Sequence, residues 1–164
     1  MKTMDELFLM TLKDIYYAER QILKALPKMA RAAHSEELKE AFKTHKDQTE
    51  GQVERLQQVF QVLGKRAQGQ TCEAIQGLIQ EGEELLEEFS EPSAVRDAGL
   101  VATAQAVEHY EMARYGTLVT WAGLQKQDEI VALLQATLDE EKATDKLLTQ
   151  MATKTIHKDV LKAA

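Results

Sequence analysis

Apolar residues recur at spacings of three, four or seven along most of the chain, the pattern of helices buried along one side. Over residues 3–33 the row includes Phe8, Leu12, Ile15, Ile22, Leu26 and Met29, with Asp5 and Glu6 in the first turn, where acids suit the helix dipole. Pro27 lies inside this segment and predicts a kink near Leu23, whose carbonyl the ring would crowd. His34-Ser35-Glu36-Glu37 reads as a short turn with Ser35 as the next N-cap. A second helix is predicted over 36–63. Its stripe, Leu38, Phe42, His45, Thr49, Gln52, Leu56, Val59 and Leu63, is apolar at both ends and polar in the middle. Gly64 suits its C-cap, with Lys65 and Arg66 following near the negative end. After a loop, a shorter helix over 72–89 carries Ile75, Leu78, Ile79, Leu85 and Leu86, and its acidic run over 81–88 reads as a solvated face. Ser90-Glu91-Pro92 opens a third long helix, with Pro92 or a near neighbour in its first turn, ending near Gly123. The last helix runs from Asp128 into the 150s with Leu134, Leu138, Glu141, Asp145 and Leu148 on one stripe. The tail from about 153 has few apolar residues and is expected to fray.

The class is therefore all-α, and no break in composition divides residues 1–164 into two domains. Two long hairpins emerge, 3–63 and 93–152, with an 18-residue helix between them. Short turns make the members of each hairpin antiparallel. The middle helix, ~27 Å long at ~1.5 Å per residue, could carry the chain back along a bundle. The second and third long helices would then run parallel; a five-helix up-and-down array is the alternative.

Composition narrows the function classes. Lys and Arg number 20 against 27 Asp and Glu, a net charge of −7, which argues against nucleic acid as a partner. Two prolines and eight glycines are too few for the turns of an all-β fold. The single Cys72 excludes an internal disulfide and a four-cysteine zinc site, and points to a cytoplasmic protein. No apolar run approaches the ~18 residues that span a bilayer, so no membrane association is expected. MKTMDELFLM places acids where a signal peptide would need bases and an apolar stretch.

The acid excess includes residues at positions where apolar ones belong. On the first helix the row Leu12, Ile15, Glu19, Ile22, Leu26 contains one acid. On the third long helix Glu108 interrupts Val101, Gln105, Met112 and Tyr115, and Glu111 flanks it one turn on. The last helix contributes Glu141 and, one turn on, Asp145; the second contributes His45, with Gln48, Thr49 and Gln52 nearby. Taken singly, Glu19 reads as a surface or ion-paired residue and His45 as a hydrogen-bonded core histidine, while His109 shares neither main row and the tyrosines 16, 17, 110 and 115 read as packing residues. Depth joins the acids: Glu19, Glu108 and Glu141 lie 15.5, 17 and 16 residues from the centres of their turns, about half a helix, or ~24 Å. If the hairpins pack with their turns at opposite ends, these groups meet at mid-bundle. Lone buried carboxylates are costly, whereas a cluster becomes favourable around a multivalent cation. Oxygen and imidazole donors suit iron or manganese. Two-metal bundles of this kind use a Glu from each of two helices and a Glu-x-x-His pair from each of the others. Both pairs are missing here; Glu108-His-Tyr-Glu111 instead supplies two acids three apart.

Several segments are familiar together. Asp14-Ile-Tyr-Tyr-Ala-Glu19-Arg-Gln with Ala25-Leu-Pro-Lys-Met29, Gly51-Gln-Val-Glu-Arg-Leu56, Ala104-Gln-Ala-Val-Glu-His-Tyr-Glu111 with Tyr115-Gly-Thr-Leu118, and Thr137-Leu-Asp-Glu-Glu-Lys142 resemble the YciF family of bacterial ferritin-like stress proteins. The likeness spans nearly the whole chain. It implies a ferritin-like, rubrerythrin-like four-helix bundle with an additional fifth helix in the long crossover, a homodimer, a two-iron centre and a link to stress responses. By position it implies Glu19, Glu108, Glu111 and Glu141 as metal-ligating acids. The family's second helix usually reads His-x-x-Glu-Thr; His45 and Thr49 match, but Gln48 replaces the acid. A neutral amide is a weaker ligand for a hard cation, so one metal could be held well and the second poorly, or neither tightly.

Two functions are therefore weighed. One is a di-iron or di-manganese carboxylate protein that reduces peroxide or oxidises ferrous iron, with Glu19, Glu108, Glu111, Glu141 and Asp145 as acids and His45 as the nitrogen donor or its neighbour. The other is a non-catalytic structural or interaction protein whose metal site is degenerate.

Overall fold

A computed structural model describes residues 1–156, 158, 160 and 161. It contains five α-helices: α1 (Met4–Ala32), α2 (Glu36–Val62), α3 (Glu73–Glu88), α4 (Ala94–Leu124) and α5 (Asp128–Met151), and no strand among the described residues. The caps explain the boundaries. Thr3 and Glu6 form a reciprocal capping box at the start of α1. Ser35 accepts the Leu38 N–H at 3.3 Å, as its sequence position predicts. At the end of α2, Gly64 adopts φ 63°, and the Gly64 and Lys65 N–H groups donate to Gln61 and Phe60 carbonyls. α4 starts two residues later than Pro92: Ser93 is the N-cap and accepts the Arg96 N–H at 3.1 Å, which puts the proline just outside the helix. α1 runs through Pro27 without a break in its helical assignment. Order does not stop at residue 153. Ala152–Ile156 continue as a π-helical turn with Ile156 buried, and most of the remaining tail lies outside the described residues.

Cross-helix bonds fix the topology. Arg55 on α2 reaches Glu140 on α5, and Thr144 reaches Gln48, so α2 and α5 are antiparallel. The α4–α5 turn is tied to the start of α1 by Gln125 donating to Asp5. The α1–α2 turn meets the start of α4, where the Asp97 carboxylate accepts His34 and Ser35 N–H groups at 2.6 and 2.8 Å. Arg96 donates to the carbonyls of Ala32 and Ser90 at the same corner. α1 and α4 are therefore antiparallel, the two hairpin turns lie at opposite ends, and α2 and α4 run parallel across the bundle.

α3 makes that return possible. It climbs alongside α1, bonded through Gln76 to Tyr17 near its start and through Lys28 to Glu83 further on. It packs on α1 and α4 and outside the four-helix core. Only Ile75 of α3 is fully buried, so α3 is a thin cover. The core itself is filled by Leu12, Ile15, Leu38, Phe42, Leu56, Phe60, Leu100, Leu118, Ile130 and Leu134. Burying each such side chain contributes about 1.5–3 kcal/mol, the gain against which inward-facing acids must be set.

Candidate metal centre

Those acids lie at the middle of the bundle. Glu19 on α1, Glu108 and Glu111 on α4 and Glu141 on α5 are fully buried, and His45 on α2 is 4% exposed. One donor atom each from His45, Glu108, Glu111 and Glu141 lies within 4.8 Å of the others. His45 Nδ1 is 3.2 Å from Glu108 Oε1, and its Nε2 is 3.7 Å from Glu141 Oε2. The first contact lacks the alignment of a hydrogen bond and the second is too long for one. Glu19 stands beside this group, where its Oε1 accepts a hydrogen bond from the Tyr115 hydroxyl. Its Oε2 and both oxygens of Glu108, Glu111 and Glu141 have no hydrogen-bond partner among the described residues.

The electrostatics follow from that crowding. Burial first, then the Glu141 charge, pushes the Glu19 carboxyl up to about 8, against the pull of Tyr115. Burial and Glu141 hold Glu108 well above the usual carboxylate range. Burial followed by Glu19, Glu141 and Glu108 does the same to Glu111. The Tyr115 phenol is raised by burial and by the Glu19 charge. A bound cation would reverse this balance, because its charge favours the ionised form of every acid around it.

The surrounding bonds orient the inner groups. The Thr49 hydroxyl donates to the His45 carbonyl at 2.8 Å, one helical turn back. Arg55 grips Glu140 with two hydrogen bonds, at 2.8 and 2.6 Å, and Gln52 adds a third at 3.1 Å. Burial works against ionisation of Glu140, but Arg55 and Gln52 outweigh it and lower its pKa. Glu140 is thus secured outside the cluster, while its neighbour Glu141 points in.

Of the residues singled out in the sequence, His45, Glu108, Glu111 and Glu141 are brought together, and Glu19 adjoins them. Asp145 is not in that group: it is half-buried and lies 3.1 Å from Nε2 of the exposed His109. Gln48 is half-buried, and its Oε1 accepts from Thr144 at 3.5 Å. Sequence reasoning treated Tyr115 as packing and did not find its bond to Glu19. Its place on the same row as Glu108 was the available signal. Two cavities reach His45. One, of about 50 Å³, lies among α1, α3 and α4 and also touches Glu108. The other, about 130 Å³, lies between α2 and α5 and is bordered by Thr44, Gln48 and Thr144.

Residues 3–161 match a family described as a domain of unknown function, DUF892. Protein YciF of Escherichia coli (strain K12) is 45% identical over 159 residues, covering 96% of this chain and 95% of that protein. The chain belongs to the YciF family. Its fold superposes on the crystal structure of the E. coli stress protein YciF with a TM-score of 0.91, covering 96% of this chain and 99% of the other. YcfI of Rhodopseudomonas palustris, provisionally described as a structural protein, is 49% identical with a TM-score of 0.88, over 90% of this chain and 94% of that one. A protein from Xanthomonas campestris pv. campestris shares the fold at a TM-score of 0.76 and 21% identity, over 98% of each chain. YciF membership bears out the family resemblance, and the five-helix bundle with its crossover helix bears out the all-α class. No helix among the described residues is long and apolar enough to cross a membrane.

Proposed function

We propose that the mid-bundle cluster is a carboxylate–imidazole centre for two transition-metal ions, iron or manganese, in a ferritin-like bundle that serves redox chemistry during stress. The observation that carries this reading is the set of buried carboxylate oxygens without partners, converging with one imidazole from separate helices. A bundle core gains nothing from acids placed there for packing, and unpaired buried charge is strongly unfavourable. The donors fit a hard or borderline divalent cation: oxygen from Glu108, Glu111 and Glu141, nitrogen from His45, and Glu19 close by. Bound ferrous ions would supply electrons for reducing peroxide or dioxygen. The protein's own share is to hold these donors at fixed distances, exclude bulk water and fix the Glu19 carboxyl through the Tyr115 hydroxyl. A homodimer in the cytoplasm is part of the same proposal, and the stress role is supported by the description of E. coli YciF.

The competing reading is a structural or interaction protein with a degenerate site. It draws support from Gln48, an amide at the second-helix position beside His45, and from the provisional description of YcfI. Elemental analysis of protein from iron- and manganese-supplemented cells separates the two. The metal centre requires close to two ions per chain, or one if Gln48 disables the second position, and loss of metal in Glu111→Gln. Metal-free protein from both media, with no uptake at micromolar ferrous ion, favours the structural reading.

A further inference from the structure

The centre has a second feature that the ligands do not explain: an apolar pocket ends on it. Ile22, Leu26, Leu78, Ile79, Leu100 and Val107 supply most of its wall, from α1, α3 and α4, and its inner end is closed by His45 and Glu108. Lys28 and Glu83, about half exposed and joined at 2.9 Å, border it at the opposite end, between α1 and α3. Between those two ends Thr103 is the one polar side chain in the lining. Small residues leave the space open. Ala25 of α1 and Ala104 of α4 both line it, and a Cβ added at Gly82 of α3 would already press on Thr103 at 3.1 Å.

We infer that this cavity is a binding pocket for an uncharged apolar diatomic of the dioxygen class, set against the His45–Glu108 side of the centre. The volume of about 50 Å³ has room for a few atoms and not for an organic ring system. Between its two ends the walls offer an ion no charged ligand and peroxide only the Thr103 hydroxyl, so either would lose most of its hydration along that stretch without return. Apolar cavities in proteins stay dry and take up apolar gases, which give up almost no hydration on entering. Access is provided by α3, which contributes a single fully buried residue and therefore opens locally at lower cost than the four core helices. The cavity between α2 and α5, bordered by Thr44, Gln48 and Thr144, has the hydroxyl and amide groups that a hydrated reactant needs.

The significance of the pocket rests on the metal-centre reading, but its occupancy can be tested on metal-free protein. Methyl relaxation is measured by NMR with and without dissolved oxygen, whose unpaired electrons speed the relaxation of nearby protons. Methyls of Ile22 and Leu100, 4% and 0% exposed, should relax severalfold faster under oxygen than those of Ile130 and Leu134, which are 1% exposed but line no part of the pocket. Ala104→Leu fills the pocket from α4 and should remove that excess; Ala25→Leu fills it from α1 and serves should the first variant fold poorly. Enhancement at the pocket methyls no greater than at Ile130 and Leu134, or undiminished in both filled variants, overturns the assignment. A positive result in protein that takes up no metal would leave the pocket standing and remove the proposed centre.

Discussion

Glu108 offers the sharpest separation between a carboxylate kept for a cation and one kept for folding. It is fully buried, both of its oxygens lack partners, and burial together with Glu141 raises its pKa. Ionising it at pH 7 therefore opposes folding of the metal-free chain. Glu108→Leu removes both orphan oxygens at nearly constant volume. Leaving a buried polar group unsatisfied costs about 1–3 kcal/mol, so the metal-free variant should gain about that much. For a chain of this size, each kcal/mol moves Tm by about 2–4 °C, which gives a rise of roughly 2–12 °C. The metal response should move the other way. An ion held at ~100 times its Kd stabilises the parent by about 2.7 kcal/mol, or roughly 5–10 °C, and the variant, lacking one central ligand, should show little of that rise. The assay is thermal unfolding followed by circular dichroism after chelation, with and without manganese or anaerobic ferrous ion. A metal-free variant that melts several degrees below the parent, with the metal-induced rise intact, refutes the reasoning. Glu108 would then be a structural acid.

The pH dependence of the metal-free protein has a definite sign. Glu19 has a folded pKa of about 8 against the 4.5 of a solvated glutamate, so between those values the folded chain binds more protons than the unfolded one. Stability should fall as pH rises from about 5 towards 8, measured by urea unfolding, and a flat or rising profile contradicts the assigned burial. Asp97→Ala should lose about 3–5 kcal/mol, because it strips two charged hydrogen bonds from the His34 and Ser35 N–H groups in a corner where Asp97 is 1% exposed. A change below about 1 kcal/mol in denaturant titration would show that the corner is held by other contacts. Lys126→Gly should stabilise by about 0.5–1 kcal/mol, since Lys126 closes the α4 terminus at φ 58°, a conformation that favours glycine. A loss of stability there would mean that the lysine side chain offsets its backbone strain.

The fold was legible because helix period and turn length answer to short-range physics. The rows through Phe8 to Met29 and Leu38 to Leu63 name buried faces, and Ser35 and Gly64 mark their ends. The choice between an up-and-down array and a bundle with one crossover was not legible from loop length. It depends on contacts far apart in sequence, such as Asp97 with the α1–α2 turn and Gln125 with Asp5. Within the site, distance from the turns brought Glu19, Glu108 and Glu141 to one level. It did so because the two turns do lie at opposite ends. Rotation about each helix axis was harder to read. Asp145 follows Glu141 by four residues, about 40° round an ideal helix, and that offset carries it to the boundary where His109 is its partner. Glu111 follows Glu108 by three residues, about 60° the other way, and stays inside. Which side of a row faces a neighbouring helix is a property of packing, and a single helix's sequence does not contain it.

The same point bears on why these acids and not others form the buried cluster. Acids occur on every helix, and several outside the cluster have taken a cation or a donor: Glu83 with Lys28, Glu140 with Arg55, Asp97 with the backbone of the first turn. Among the described residues, Glu108, Glu111 and Glu141 have one another, Glu19 and His45 as polar neighbours, and the Tyr115 hydroxyl is the one hydrogen-bond donor to Glu19. If the inward acids were residues that packing merely tolerates, the same helices could satisfy them by a basic residue at the same level. Arg55, on α2, shows that such a residue is within reach of α5, yet its guanidinium is spent on Glu140 one position from Glu141. Nearby positive charge is thus directed to the rim of the bundle, and among the described residues the interior acids are left with no basic side chain to favour their ionised form, which supports the proposal that a small multivalent cation completes the set.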